Sequence, residues 1–362
     1  MRVFRCESCQ SLAYLTSTSC VHCHAVLGFI PEERTVGAFS LADDGSLLRH
    51  VDCAHRWRRC ANADACACNW LIRDDDPHNQ CRSCRLTVSL PDQSMEENRA
   101  AWRDLEAAKR NWLSSILDLH LPVRSREEDP ERGLAFHFLR QIDASRPVFT
   151  GHDAGDITIN AIESDPVQRE RSKLALHEPY RTLLGHFRHE SGHYYWDLLV
   201  KDSLLIEPFR ALFGDEREDY SAALQHHYDN GPPADWQSAY VSGYATMHPW
   251  EDWAETWAHY LHMVDLVSTA QAWQLRIGAF DPAKLDAQIP DQQPLSAEFV
   301  ELLKLWTPLT LVANSLNRSL GHADAYPFAL PYLAMRKMQF VHDVIKPFHP
   351  QIGFVVQEVT QN

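Results

Sequence analysis

No cysteine occurs anywhere after residue 84 of this 362-residue chain; all ten lie at or before it. No run of about 18 uninterrupted apolar residues is present, so no helical membrane span is expected. The first residues, MRVFRCESCQ, lack the apolar stretch of a secretion signal. These absences lead to the expectation of a cytoplasmic protein without a membrane partner. Internal repeats and low-complexity tracts are also missing. Basic residues are the minority, 34 against 49 acidic ones, for a formal net charge of −15. Such a chain is a poor partner for nucleic acid unless its basic residues cluster. One segment does cluster them: RHVDCAHRWRRC (49–60) carries Arg49, Arg56, Arg58 and Arg59 around Trp57. Contact with nucleic acid is one reading; arginines facing solvent or a neighbouring domain is the other, and the acidic balance favours it.

What is present is an ordinary globular composition, 45% hydrophobic and 23% charged, with length for two or three domains. The cysteines dominate the first quarter. A disulfide framework fits poorly in a chain read as cytoplasmic, whereas clustered CxxC pairs there point to zinc. Cys6-x2-Cys9 and Cys20-x2-Cys23 enclose ten residues. Two such knuckles supply four thiolates, a closed tetrahedral site with no position left for water, hence structural. Cys81-x2-Cys84 is a third knuckle, whose other half must come from among Cys53, Cys60, Cys66 and Cys68. Both sites would fold a region too poor in apolar residues to fold alone.

The pattern divides the chain into a cysteine-rich region, 1–92, and a larger domain, 93–362. In the second, SMEENRAAWRDLEAAKRNWLSSILDLHLP predicts a helix, with a Ser94/Glu97 capping box and Trp102, Leu105, Trp112, Leu113, Ile116 and Leu117 on one stripe. GLAFHFLRQI, PVFTG and DITINAIE read as strands. Asp165-Pro166 opens a helix, PYRTLLGHFRHESGHYYWDLLV forms another, and the remainder is mostly helical with loops at GPPAD and DPAKLDAQIPDQQP. The fold class is α+β: a double zinc-ribbon module, then a mainly helical domain with a small β-sheet.

The chemistry concentrates in HFRHESGHYYW (186–196). On a helix, positions i and i+4 share a face, so His189 and His193 can aim imidazole nitrogens at one zinc ion. Glu190, directly after the first, is placed to take a proton from zinc-activated water and pass it to a leaving amine. Two structural histidines on a helix is the blander alternative. A hydrolytic zinc takes three protein ligands, and no HExxHxxGxxH extension supplies the third here. HPWEDWAETWAHYLH (248–262) offers one: Pro249 can start a helix, and Glu251 and Glu255 lie one turn apart. One can bind zinc while the other holds a ligand histidine by its second nitrogen. His186 is read as partnered by a backbone or carboxylate group, and Asp197 could orient His193.

HFRHESGHYYWD and YATMHPWEDWAETWAHYLH together resemble bacterial zinc-binding metallopeptidases with an N-terminal zinc-ribbon domain, over nearly the whole chain. More distantly the chain is similar to the gluzincin clan, whose zincin-like domain takes its third ligand from a glutamate on a following helix. That resemblance implies Glu251 as the ligand and Glu255 as the residue orienting a histidine. It also implies that Tyr244, seven residues before Glu251, stabilises the oxyanion, with Tyr240 a weaker alternative. It favours Cys60 and Cys68 as partners of Cys81 and Cys84, leaving Cys53 and Cys66 as spare thiols. The implied cofactor is Zn2+, one catalytic and two structural. The expected activity is hydrolysis of a peptide or protein substrate, with the DITINAIE strand as the edge on which an extended substrate pairs. The alternative is a non-catalytic adaptor that binds a protein or nucleic-acid partner through its ribbon.

Overall fold

The computed structural model describes residues 3–142, 145, 147–175, 178–277 and 295–349. The chain forms two compact units, Met1–Tyr194 and Tyr195–Asn362.

The first unit begins with a short antiparallel pair, β1 (Phe4–Arg5) and β2 (Leu12–Ala13). A five-stranded antiparallel sheet follows in chain order: β3 (Val26–Ile30), β4 (Thr35–Leu41), β5 (Leu47–Arg49), β6 (Arg56–Arg59) and β7 (Leu71–Arg73). Its strands are short, and Phe29 packs on Trp70 with ring centroids 4.7 Å apart, both fully buried. Ile30, Phe39, Leu47, Trp57 and Leu71 form a buried cluster on the sheet. Leu71 lies so close over Gly28 that a Cβ there would meet its side chain at 2.5 Å, which is why β3 carries glycine at that point.

A second sheet has the order β10-β11-β9-β8. Strand β8 (Thr87–Ser89) is parallel to β9 (Ala135–Leu139), and the long helix α1 (Glu96–Asp118) lies between them in the chain, as a parallel pair requires a crossover. Strand β9 is also parallel to β11 (Asp156–Asn160), which pairs antiparallel with β10 (Gly151–Asp153). The β10–β11 turn has two residues, Ala154 and Gly155, at φ 47° and 93°, the left-handed pair a two-residue hairpin demands. The apolar stripe of α1 expected from the sequence is buried throughout. Its capping box does not form: Met95 stands at the N-cap with no side-chain bond, and the helix starts at Glu96. The strand expected at PVFTG is confined to its last residue, where β10 begins. Strand β11, expected as the open edge, is interior; β10 is the edge beside it.

Helix α2 (Pro166–Ala175) starts at the proline, and α3 (Leu183–Leu199) carries the histidine motif. Phe187 seats α3 on the second sheet, with ring centroids 5.5 Å from Phe136 and 6.1 Å from Phe138; Trp112 of α1 meets Phe136 at 5.5 Å.

The second unit is helical: α4 (Ile206–Phe213), α5 (Tyr220–Asn230), α6 (Pro249–Ala272), α7 (Ala297–Ser319) and α8 (Tyr332–Ile345). Its core is aromatic. Tyr195 stacks on Trp257 at 4.9 Å, Trp196 meets Phe209 at 5.5 Å, and Trp253 lies against Phe213 and Phe340. Asp219 and Ser296 cap α5 and α7 by accepting from backbone N–H groups. The DPAKLDAQIPDQQP segment lies outside the described residues. Among those residues, no helix is long and apolar enough to cross a membrane.

Candidate metal centres

Cys6, Cys9, Cys20 and Cys23 converge in the first unit, their sulfurs all within 4.8 Å of one another. Cys6 and Cys23 are 3.6 Å apart, Cys9 and Cys20 3.5 Å. Four thiolates at zinc–sulfur lengths of about 2.3 Å in a tetrahedron stand about 3.8 Å apart, so the donor set matches that ion. Each knuckle ends on a left-handed residue, Gln10 (φ 62°) and His24 (φ 60°). Their N–H groups close the turns onto the Cys6 and Cys20 carbonyls at 2.8 and 3.0 Å. Hydrogen bonds from Ser11 pull the Cys9 thiol down to about 5, while burial pushes Cys6 up to about 11. Thiols bind a metal as thiolates, so loading the site with a cation releases protons.

Cys60, Cys68, Cys81 and Cys84 form a second, fully buried group. Cys68 lies 3.6 Å from Cys81 and 3.7 Å from Cys84, and the Cys81 N–H donates to the Cys60 sulfur at 3.3 Å. Cys66 is buried beside them and donates to the Asn62 carbonyl, while Cys53 is exposed. Neighbouring Cys84 and burial push the Cys66 thiol up.

Cys66, Cys84 and Glu106 also approach one another closely enough to hold an ion, but protein cations already fill that role. Lys109 lies 2.8 Å and Arg110 3.8 Å from Glu106, and all three side chains are at most 5% exposed. Arg110 also donates to the carbonyls of Cys66 and Ala67 at 3.2 and 3.5 Å, bracing Ala67 at a φ of 52° that alanine rarely adopts. A four-thiolate zinc centre carries a net charge of −2 by valence, and of these cations Arg110 also donates to the sulfur of Cys66 beside it, at 3.8 Å. Nothing in the apolar stripe of α1 announced this polar face.

In α3, Thr182 accepts from the Gly185 N–H at 2.9 Å and so starts the helix. His186 is engaged by Glu163 at 3.2 Å, and Arg181 pairs with the same carboxylate at 2.7 Å. Burial opposes ionisation of Glu163, yet His186 and Arg181 pull its carboxyl down to about 2. His189 and His193 follow one turn apart, ring centroids separated by 5.1 Å, with Glu190 buried at 6% exposure. The helix is fixed in rotation by Ser191, whose hydroxyl accepts from the Trp112 indole at 2.9 Å. His152 on the edge strand β10 lies over His193 with rings nearly parallel, 6.2 Å apart. Three residues before the β10–β11 turn closes, it had no spacing signal relative to the motif.

In the second unit, Pro249 occupies the first turn of α6 and His248 caps it, its Nδ1 accepting from the Trp250 N–H at 3.1 Å. Glu251 and Glu255 succeed each other on one face. Glu251, 2% exposed, accepts from the Tyr220 hydroxyl at 2.9 Å; Glu255 accepts from Ser242 at 2.6 Å. Neither Tyr220 nor Ser242 was foreseen. Tyr244 sits in a short 3-10 turn, Tyr244–Thr246, with its ring 5.7 Å from His227. Between the two glutamates, Asp252 is buried against Lys337 at 2.5 Å. Burial pushes the Asp252 carboxyl up to about 7 against the pull of Lys337.

The arginine cluster of 49–60 is largely spent internally. Arg49 pairs with Glu7 and Glu33, Arg56 with Asp44, and Arg58 donates to the carbonyls of Asp76 and His78.

Comparison with known proteins gives two family matches. Residues 98–344 match the family described as "Putative zinc-binding metallo-peptidase", and residues 3–95 match a zinc-ribbon domain. Uncharacterized proteins of Mycobacterium bovis and of two Mycobacterium tuberculosis strains are 40% identical over 354 residues, 97% of each chain. No solved structure matches.

Proposed function

The chain belongs to the zinc-binding metallo-peptidase family, and on that premise we propose that it hydrolyses peptide bonds at a zinc ion held by His189, His193 and Glu251. The observation that carries this reading is the pair of imidazoles one turn apart on α3, with a buried glutamate directly after the first. Two imidazoles and one carboxylate are a donor set suited to zinc, and three protein ligands keep a fourth position for water, as a hydrolytic site requires. Zinc bound there supplies Lewis acidity toward that water and toward the scissile carbonyl. Glu190 takes the proton from the attacking water and carries it to the leaving nitrogen. Tyr244 donates its hydroxyl to the oxyanion as the carbonyl becomes tetrahedral. Glu255, steadied by Ser242, holds the distal nitrogen of a ligand histidine and fixes its tautomer. The arrangement is of the gluzincin type.

The two cysteine groups each take one structural zinc, so the loaded chain holds three ions. Thiolate sites of this kind persist where thiols stay reduced, which suits the cytoplasm. Among the described residues β10, rather than β11, is the edge strand, and an extended peptide adds onto it. With Arg49, Arg56 and Arg58 engaged internally, the ribbon is better suited to a protein partner than to nucleic acid.

Glu190→Gln tests the reading. Zinc content is expected to stay at the wild-type value while cleavage of a peptide library, read by mass spectrometry, falls by about 100-fold or more. Cleavage at the wild-type rate would overturn it and favour an adaptor.

A further inference from the structure

Glu251 is met by a side chain that neither motif contains. Tyr220 opens α5, and its hydroxyl donates to Oε1 of Glu251 at 2.9 Å across a chain separation of 31 residues. The phenol is held by a frame of its own. Its ring lies edge-on to His248 at 5.3 Å and to Trp250 at 6.1 Å. His248 caps α6 through Nδ1 and donates from Nε2 to the Glu218 carbonyl at 3.1 Å. Asp219 caps α5 by accepting from the Ala222 N–H at 3.0 Å. The first turns of α5 and α6 are therefore tied by consecutive residues, Glu218 to Tyr220 on one side and His248 to Glu251 on the other. Packing and caps fix the ring, and the ring fixes where the hydroxyl points.

We propose that Tyr220 is the positioning residue for the third zinc ligand: by engaging Oε1 it selects the Glu251 rotamer and assigns Oε2 to the metal. This rests on the reading of Glu251 as a ligand. The physical reason is general. A carboxylate with two equivalent oxygens can swing about its terminal torsion and bind through one or both. A hydrogen bond to one oxygen removes part of that freedom before the ion arrives, and it withdraws charge from the oxygen that does not coordinate. Tyr244 has a different task, donating to the substrate, and the two hydroxyls are not interchangeable. A purely structural tyrosine would need its ring here but not its hydroxyl.

Tyr220→Phe separates those cases, because it keeps the ring against His248 and Trp250 and deletes one oxygen. The full chain, loaded with zinc, is titrated against a chromophoric chelator. Expected is a loss of about tenfold in affinity at one of three sites, with the other two and the urea midpoint near wild type. Tyr220→Ala is expected to lose affinity to a similar degree and, in addition, stability. His189→Ala is run alongside and is expected to release one ion. If His189→Ala keeps all three ions, the underlying zinc reading fails. If His189→Ala releases one while Tyr220→Phe binds zinc as wild type does, the positioning role of Tyr220 is overturned and its ring alone matters.

Discussion

The indole of Trp112 donates to the hydroxyl of Ser191 at 2.9 Å, both groups buried. This bond ties α1 to the interior of the histidine motif. It sets the rotation of α3 about its axis, and so the direction in which His189 and His193 point. Ser191→Ala strands the indole N–H in an apolar setting, at a cost of about 1–3 kcal/mol. Urea unfolding should show that loss, and Ser191→Thr, which keeps the hydroxyl, should recover part of it. Equal stability of Ser191→Ala and wild type would mean that packing of Phe187 alone seats the helix.

The buried pair of Lys337 and Asp252 holds the first turn of α6, one residue from Glu251. Lys337→Met keeps the length of the side chain but leaves the Asp252 carboxyl, 1% exposed, without its cation. Destabilisation of roughly 3 kcal/mol is expected, measurable by urea denaturation at neutral pH. The double variant with Asp252→Asn should be less destabilised than Lys337→Met alone, since it removes the buried acid that Lys337 serves. A larger loss in the double variant would contradict this account.

Glu163 gives a pH signature. Its folded carboxyl is drawn down to about 2 from an ordinary 4.5. A depressed folded value contributes stability above the unfolded value, and that contribution is lost as pH falls from about 4.5 toward 2. The gap in urea midpoint between wild type and Glu163→Gln should be full at pH 6 and narrow progressively below about pH 4.5. A gap independent of pH would show that the Arg181 and His186 contacts act without the charge of Glu163.

Among the ten cysteines, Cys53 and Cys68 should behave oppositely. Cys53 is exposed and belongs to neither sulfur group, whereas Cys68 lies 3.6 Å from Cys81. Cys53→Ser is expected to keep the zinc content and the unfolding midpoint of wild type. Cys68→Ser should lose one zinc per chain and destabilise the five-stranded sheet, read by metal analysis and circular dichroism.

The sequence made helix α3 legible because chemistry and periodicity coincide there: His189 and His193 share the i, i+4 face with Glu190 directly after the first, and Phe187 marks the buried side. The α1 stripe was equally plain, since six large apolar residues repeat at helical spacing. What escaped was chemistry set by tertiary contact. Tyr220 reaches Glu251 across 31 residues, and His152 meets His193 only because the two-residue turn at Ala154-Gly155 folds β10 back along β11. Lys109 and Arg110 are buried on α1 where Glu106 supplies their countercharge, and Arg110 also reaches the Cys66 sulfur. The Ser94/Glu97 pattern failed in the other direction. A capping box is a local preference, and the chain entering α1 places Met95, not Ser94, at the N-cap.

Metal content is the most direct measure of the central claim that His189 and His193 hold an ion. Zinc per chain is determined for wild type and for the double variant His189→Ala/His193→Ala, each purified without added chelator. The account predicts three ions falling to two, with both cysteine centres still loaded. Equal zinc content in the two proteins would contradict it, and the peptidase mechanism built on Glu190 would lose its foundation.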